Sequence, residues 1–178
     1  MWHTLGINAE KFFQHLLLLD SRAAERTRDR GCPCGGRLHR ADYPRKPRGV
    51  PDECEQYIAR RFSFCCATPG CRRRATPPSV RFMGQRVYVA AVVLMACAGW
   101  GDLDVSEVPA RTRRRWRKYF TTKLVQSARW QQIRAHLDTP VDERALPASL
   151  LERFRGTRAE VLILGLRLLL HGPASKVS

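Results

Sequence analysis

FCCATPGCRRR, Phe64–Arg74, places Cys65, Cys66 and Cys71 within seven positions and follows them with three arginines. Whether these thiols make a disulfide, a redox centre or a metal site decides how the middle of the chain folds. About thirty residues upstream lies a second cysteine turn, GCPCGG, Gly31–Gly36, holding Cys32 and Cys34. The chain has 7 cysteines, the others being Cys54 and Cys97. An odd number, with no signal peptide expected from MWHTLGINAEKFFQHLLLLDSR, argues against a disulfide framework and for a reducing compartment, the cytoplasm. A redox centre of the C-x-x-C type is not indicated either, because no such pair opens a helix in a βαβ pattern.

Two Gly/Pro-rich turns, each offering two sulfurs, are what a tetrahedral ion needs. Zn²⁺ takes four ligands, thiolates bind it well, and glycine lets nearby amides turn toward the sulfurs. The spacings are C-x-C in the first turn and four or five intervening residues in the second. In RFSFCC, Phe62, Phe64 and Cys66 fall on one strand face and Ser63 and Cys65 on the other. That alternation favours Cys66 over Cys65. The expected ligands are Cys32, Cys34, Cys66 and Cys71, with Cys65 as the alternative to Cys66 and His39 and Cys54 in reserve. With four thiolates and no open position, the zinc is expected to be structural. Cys97, inside VVLMACAG, reads as a small buried hydrophobe.

Around this module the chain is expected to be mainly α-helical. The boundaries are 1–30 for an N-terminal helix, 31–82 for a β zinc-ribbon module, 83–137 for a helix-turn-helix-like domain and 138–178 for a C-terminal helical segment. A helix is expected to begin at Ala9, capped by Asn8, and to run to about Arg28 before Gly31 ends it. QYIARRFSF is the expected strand. Helix is expected from Gly84 to Gly99, a turn at GWGDLD, and a helix opening at Pro109 with a break near Thr121. Another is expected at DTPVDE, capped by Thr139 with Asp142 in capping-box position, and two more pieces hinge near Gly156. PASKVS is expected to fray. The apolar runs Val87–Trp100 and Val161–Leu170 fall short of the roughly 20 residues that cross a bilayer, so no membrane role is expected.

Charge points to the partner. Lys+Arg total 32 against Asp+Glu 16, a formal net charge of +16 on 178 residues, and such an excess implies a polyanion. It concentrates in PARTRRRWRKYF. On a helical wheel Pro109, Thr112, Tyr119 and Phe120 gather around Trp116, while Arg111, Arg114 and Lys118 lie opposite and Arg113, Arg115 and Arg117 flank them. Six cations in ten residues repel one another with no acid at helical spacing, and an anion relieves that. With a turn at DLDVSEV ahead of it, this helix has the make-up of a recognition helix for double-stranded DNA. Arg72, Arg73 and Arg74 are expected to add phosphate contacts beside the cysteine turn.

CPCGGRLHRADYPRKPRG, RRFSFCCATPGCRRRATPPSVRFMGQRVY and ARTRRRWRKYF together resemble small bacterial proteins of transposon and plasmid neighbourhoods. Those pair a transposase-type zinc ribbon with a helix-turn-helix. The resemblance spans roughly residues 10–155 and implies DNA binding tied to a mobile element, with Cys32, Cys34, Cys66 and Cys71 as the ligands. The chain departs from the pattern at Arg113, where an apolar residue is usual. The expected function is a transposon-associated accessory or regulatory factor at the nucleoid. A transposase partner, or self-association through the last helix, is expected with it. An RNA- or ribosome-associated protein is the alternative. A transposase subunit with nuclease activity is disfavoured, because the acids Asp102, Asp104, Glu107, Asp138, Asp142 and Glu143 sit in turns where capping explains them.

Overall fold

The computed structural model describes residues 2–100 and 108–172 and divides into two units, Ala9–Val89, and Met1–Asn8 with Ala90–Ser178. The chain is mainly α-helical with a small antiparallel sheet.

In the first unit, helix α1 runs Ala9–Arg30 and buries Phe12, Phe13, Leu16, Leu19, Ala23 and Ala24, a stripe at helical spacing. Gly31, at φ 73, ends it in the left-handed conformation that favours glycine. Strands β1 (Leu38–Arg40), β4 (Phe64–Cys66) and β5 (Arg74–Ala75) form one antiparallel sheet in the order β1-β4-β5. Strands β2 (Tyr43–Pro44) and β3 (Arg60–Arg61) pair separately. Under the larger sheet Ala24, Cys32, Leu38, Phe62, Phe64 and Cys66 make one apolar cluster.

The single strand expected across QYIARRFSF is divided. Asp52–Tyr57 is a 3-10 turn opened by Pro51. The Tyr57 hydroxyl ties that turn to α1, donating to Glu10 at 3.0 Å and accepting from Gln14 at 2.8 Å. The helix expected from Gly84 begins only at Ala90. The carbonyls ahead of it are already engaged: Arg45 donates to Gly84 and Arg86, and the Arg48 amide to Val87.

A buried ion pair locks the strand-following segment onto α1. Asp20 is 0% exposed and accepts from the Ser79 hydroxyl, the Val80 amide at 2.7 Å and Arg81 Nε at 2.7 Å. Arg81 also donates to the Tyr57 carbonyl, and its guanidinium lies over the rings of Phe62 and Phe82. The pair is saturated on the carboxylate side, which is what lets a charge sit in a core.

The second unit is helical. Helix α2, Ala90–Ala98, is buried on every side from Ala90 to Cys97, as a core helix must be. Helix α3 spans Ala110–Lys118 and passes into a π-helical turn, Tyr119–Leu124, at the break expected near Thr121. Pro109 stands one position outside α3, extended at ψ 137. Helix α4, Ala128–Ala135, is capped by Ser127, which accepts from the Trp130 amide. The helix expected after Thr139 is absent. Leu146 precedes Pro147, which disfavours helical backbone there, and it is extended at ψ 141. The chain makes only a short turn, Glu143–Ala145, capped by Asp142, before helix α5, Ala148–Leu151. Thr139 and the Pro140 carbonyl instead accept from Arg153.

Helix α6, Arg158–His171, follows Gly156 and opens with a capping box where only a hinge is expected: Thr157 accepts from the Glu160 amide and Glu160 from the Thr157 amide. Gly165 packs α6 tightly, since a Cβ there would overlap Leu151 and come within 3.4 Å of Leu94. Among the described residues no helix is long and apolar enough to cross a membrane. The segments GWGDLD and DLDVSEV, apart from Gly99, Trp100 and Val108, lie outside the described residues, as do Asp102, Asp104, Glu107 and PASKVS.

Candidate metal centre and cationic helix

Strand pairing brings the two cysteine turns together. Leu38 lies opposite Cys66 in the β1–β4 register, so the turn ahead of β1 and the turn after β4 meet at one end of the sheet. Cys32, Cys34, Cys66 and Cys71 place their sulfurs within 4.8 Å of one another, and this group can hold a metal ion. Two contacts run between the turns: Cys32 to Cys71 at 3.8 Å and Cys34 to Cys66 at 3.5 Å. Metal–sulfur bonds of about 2.3 Å in a tetrahedron give sulfur–sulfur edges of about 3.8 Å, so the spacing fits.

The backbone is arranged for negative charge on these sulfurs. Each accepts an amide two residues further on: Cys32 from Cys34, Cys34 from Gly36, Cys66 from Thr68 at 3.4 Å and Cys71 from Arg73. One repeated local geometry therefore serves all four thiolates. Gly36 is required by the packing, since a Cβ there would overlap Thr68 Oγ1 and lie 2.7 Å from Cys66 Sγ. The four thiols do not ionise alike. The Gly36 amide, with the sulfurs of Cys71, Cys32 and Cys66, draws Cys34 down to about 6. The Cys34 amide favours the Cys32 thiolate, but burial and the three neighbouring sulfurs outweigh it and push that thiol up to about 12. Cys71 is raised as well: the Arg73 amide favours its thiolate, but the Cys34 sulfur and burial prevail. Four charges cannot gather here without a cation to share.

The other thiols stand apart. Cys65 faces the opposite side of β4, across from His39, with its sulfur on the Arg72 carbonyl at 3.5 Å. His39 therefore lies off the cluster too. Cys54 is fully buried in the 52–57 turn, its thiol pushed up by burial and then by the charges of Glu53 and Glu10. Cys97 is buried in α2.

The arginines after the second turn differ among themselves. Arg72 is exposed with φ 42, an uncommon conformation for a side-chain-bearing residue. Arg73 is exposed while its backbone carbonyl accepts from the Cys66 amide. Arg74 turns back over the Tyr43 ring and donates to Ser63.

In the helical unit Trp116 and Phe120 are buried at 2% and 1%, and they anchor α3. Arg111, Arg114, Arg115, Arg117 and Lys118 are exposed and have no ion-pair partner among the described residues. Arg111, Thr112, Arg114, Arg115 and Lys118 line a shallow groove of about 500 Å³. Arg113 is half-buried, and its Nε is enclosed without a hydrogen-bond partner among the described residues. Of the acids considered for catalysis, two have structural partners: Asp142 caps a turn, and Glu143 accepts from Trp130 Nε1 at 2.7 Å and pairs with Arg134. No protein-family model, curated protein or solved structure matches this chain.

Proposed function

We propose that the chain is a double-stranded DNA-binding protein carrying one structural zinc ion, and that it serves a mobile element as an accessory or regulatory factor. The observation behind the first part is α3, where five exposed cations with no acid partner among the described residues lie on a helix anchored from behind by Trp116 and Phe120. A helix held by its aromatic side and offering guanidinium groups outward suits a major groove, with α3 as the recognition helix of a helix-turn-helix. Exposed Arg72 and Arg73 add a separate cationic surface on the cysteine-bearing unit.

Zinc is the metal that a closed set of four thiolates on amide-donating turns suits best. Such a site leaves no position for water and serves the fold. The mobile-element setting rests on the resemblance of the cysteine and arginine segments. A transposase or a second copy of this chain, meeting it at α6 near the partly exposed Leu164, belongs to the same reading.

Anisotropy titrations of a labelled duplex at several salt concentrations test the proposal. Log affinity is expected to fall steeply and linearly with log salt. Alanine at Arg111, Arg114 or Arg115 is expected to flatten that slope by about 0.9 for each phosphate no longer neutralised. Absence of duplex binding at low salt overturns the proposal. So does structured RNA that displaces the duplex from the same arginines at lower concentration.

A further inference from the structure

The four metal-binding thiols are unequal in a way that a purely structural site does not require. Cys32 and Cys66 are buried, at 6% and 4%, and Cys71 is half-buried, whereas Cys34 is exposed. Its sulfur lies 3.5 Å from that of Cys66, which the other turn contributes. Gly36 has no side chain to cover these two sulfurs, and a Cβ there would lie 2.7 Å from Cys66 Sγ and 3.3 Å from Cys34 Sγ.

We infer that Cys34 is an oxidation site and that Cys66 resolves it, so that a peroxide converts the metal centre into a disulfide-linked ribbon. This inference rests on the metal-binding reading of the cluster. In the first step the Cys34 sulfur attacks one oxygen of hydrogen peroxide. The O–O bond breaks, hydroxide leaves and takes up a proton as water, and Cys34 becomes a sulfenic acid. In the second step the Cys66 sulfur attacks the Cys34 sulfur. The S–O bond breaks, a second water leaves, and a Cys34–Cys66 disulfide remains. Two thiols lose two electrons in all, and the peroxide gains them.

The contact has only to close from 3.5 Å to the about 2.0 Å of a disulfide. Two thiolates then remain, Cys32 and Cys71, too few to keep zinc in a tetrahedral thiolate site. The new bond joins the two turns that the metal joined, so β1 and β4 stay linked. Cys65 takes no part, because it faces away from the cluster with its sulfur on the Arg72 carbonyl.

The test uses the purified full-length chain with its zinc, treated with hydrogen peroxide. Zinc release is followed with a chromogenic chelator, and the disulfides are mapped by tandem mass spectrometry of unreduced peptides. The expected result is one zinc released for each Cys34–Cys66 link, as the first disulfide formed, and reversal by dithiothreitol with added zinc. Cys65→Ser is expected to form the same link at a rate within about twofold of wild type. Zinc release without that link, a first disulfide through Cys65, or no oxidation while zinc is retained overturns the inference. Protein purified without zinc would instead overturn the metal reading beneath it.

Discussion

The two units hold themselves together by different means. Ala9–Val89 has short strands of two or three residues and relies on point constraints: four thiols in one cluster and one buried ion pair. The helical unit has neither feature among its described residues and relies on packed apolar faces, with α2 enclosed on all sides. A unit with little sheet gains stability from a few strong local devices, as small domains generally must. The consequence is a difference in vulnerability: single changes should collapse the first unit and only erode the second.

The largest effect expected is at the metal. Cys66→Ser should take bound zinc from one per chain to none and abolish amide protection in β1 and β4, while hydrogen exchange in α2 and α6 stays unchanged. Cys65→Ser should keep the full metal content. Because the ligands must be deprotonated, acid should release the ion as strong chelators do. Metal retained by Cys66→Ser, or lost by Cys65→Ser, breaks the comparison at its strongest point.

Next comes the ion pair. Asp20→Ala leaves Arg81 charged and buried without its carboxylate, and the expected loss in denaturant unfolding of this unit is about 3–5 kcal/mol. A loss below about 1 kcal/mol would show that Arg81 finds enough carbonyl partners alone.

The smallest effect tests the helical unit. Thr157→Ala removes the α6 cap, with an expected cost of about 1 kcal/mol. The Thr157 amide, and then its hydroxyl, hold the Glu160 carboxyl below the usual range. That contribution is therefore present above the ordinary carboxylate pKa and is lost as pH falls through the lowered one. Thr157→Ala keeps the amide that donates to Glu160, so it should flatten only the hydroxyl's smaller share of the acid dependence of α6 stability, measured by circular dichroism; an unchanged acid profile would show that the hydroxyl contributes nothing to it.

The same division governs what is readable in the sequence. The four cysteines are legible from spacing, and the choice of Cys66 from strand alternation, because both are local patterns that the sheet preserves. Of the stripe expected from helical period on α3, Trp116 and Phe120 are buried, whereas Thr112 and Tyr119 are half-buried and Pro109, outside the helix, is exposed. Asp20 is not: its signal is a lone acid within the apolar stripe of α1, and its partners lie about sixty residues away. The T-x-x-E box at Thr157 is a readable pattern, but the glycine just before it competes as a hinge signal. Pro147 decides against a helix through 140–147, a restriction on Leu146 that outweighs the capping pattern before it.

Helix α2 has one consequence for how the chain comes to fold. It packs against α6, some sixty residues later in the sequence. During synthesis α2 leaves the ribosome before α3, α5 and α6, all of which pack on it, and no polar face shields it in the interval. The unit Ala9–Val89, already complete at that moment, can take up metal and close while its successor waits. The chain is thus built in two stages, and the interval between them is when a greasy, uncovered helix is exposed to chaperones and to aggregation.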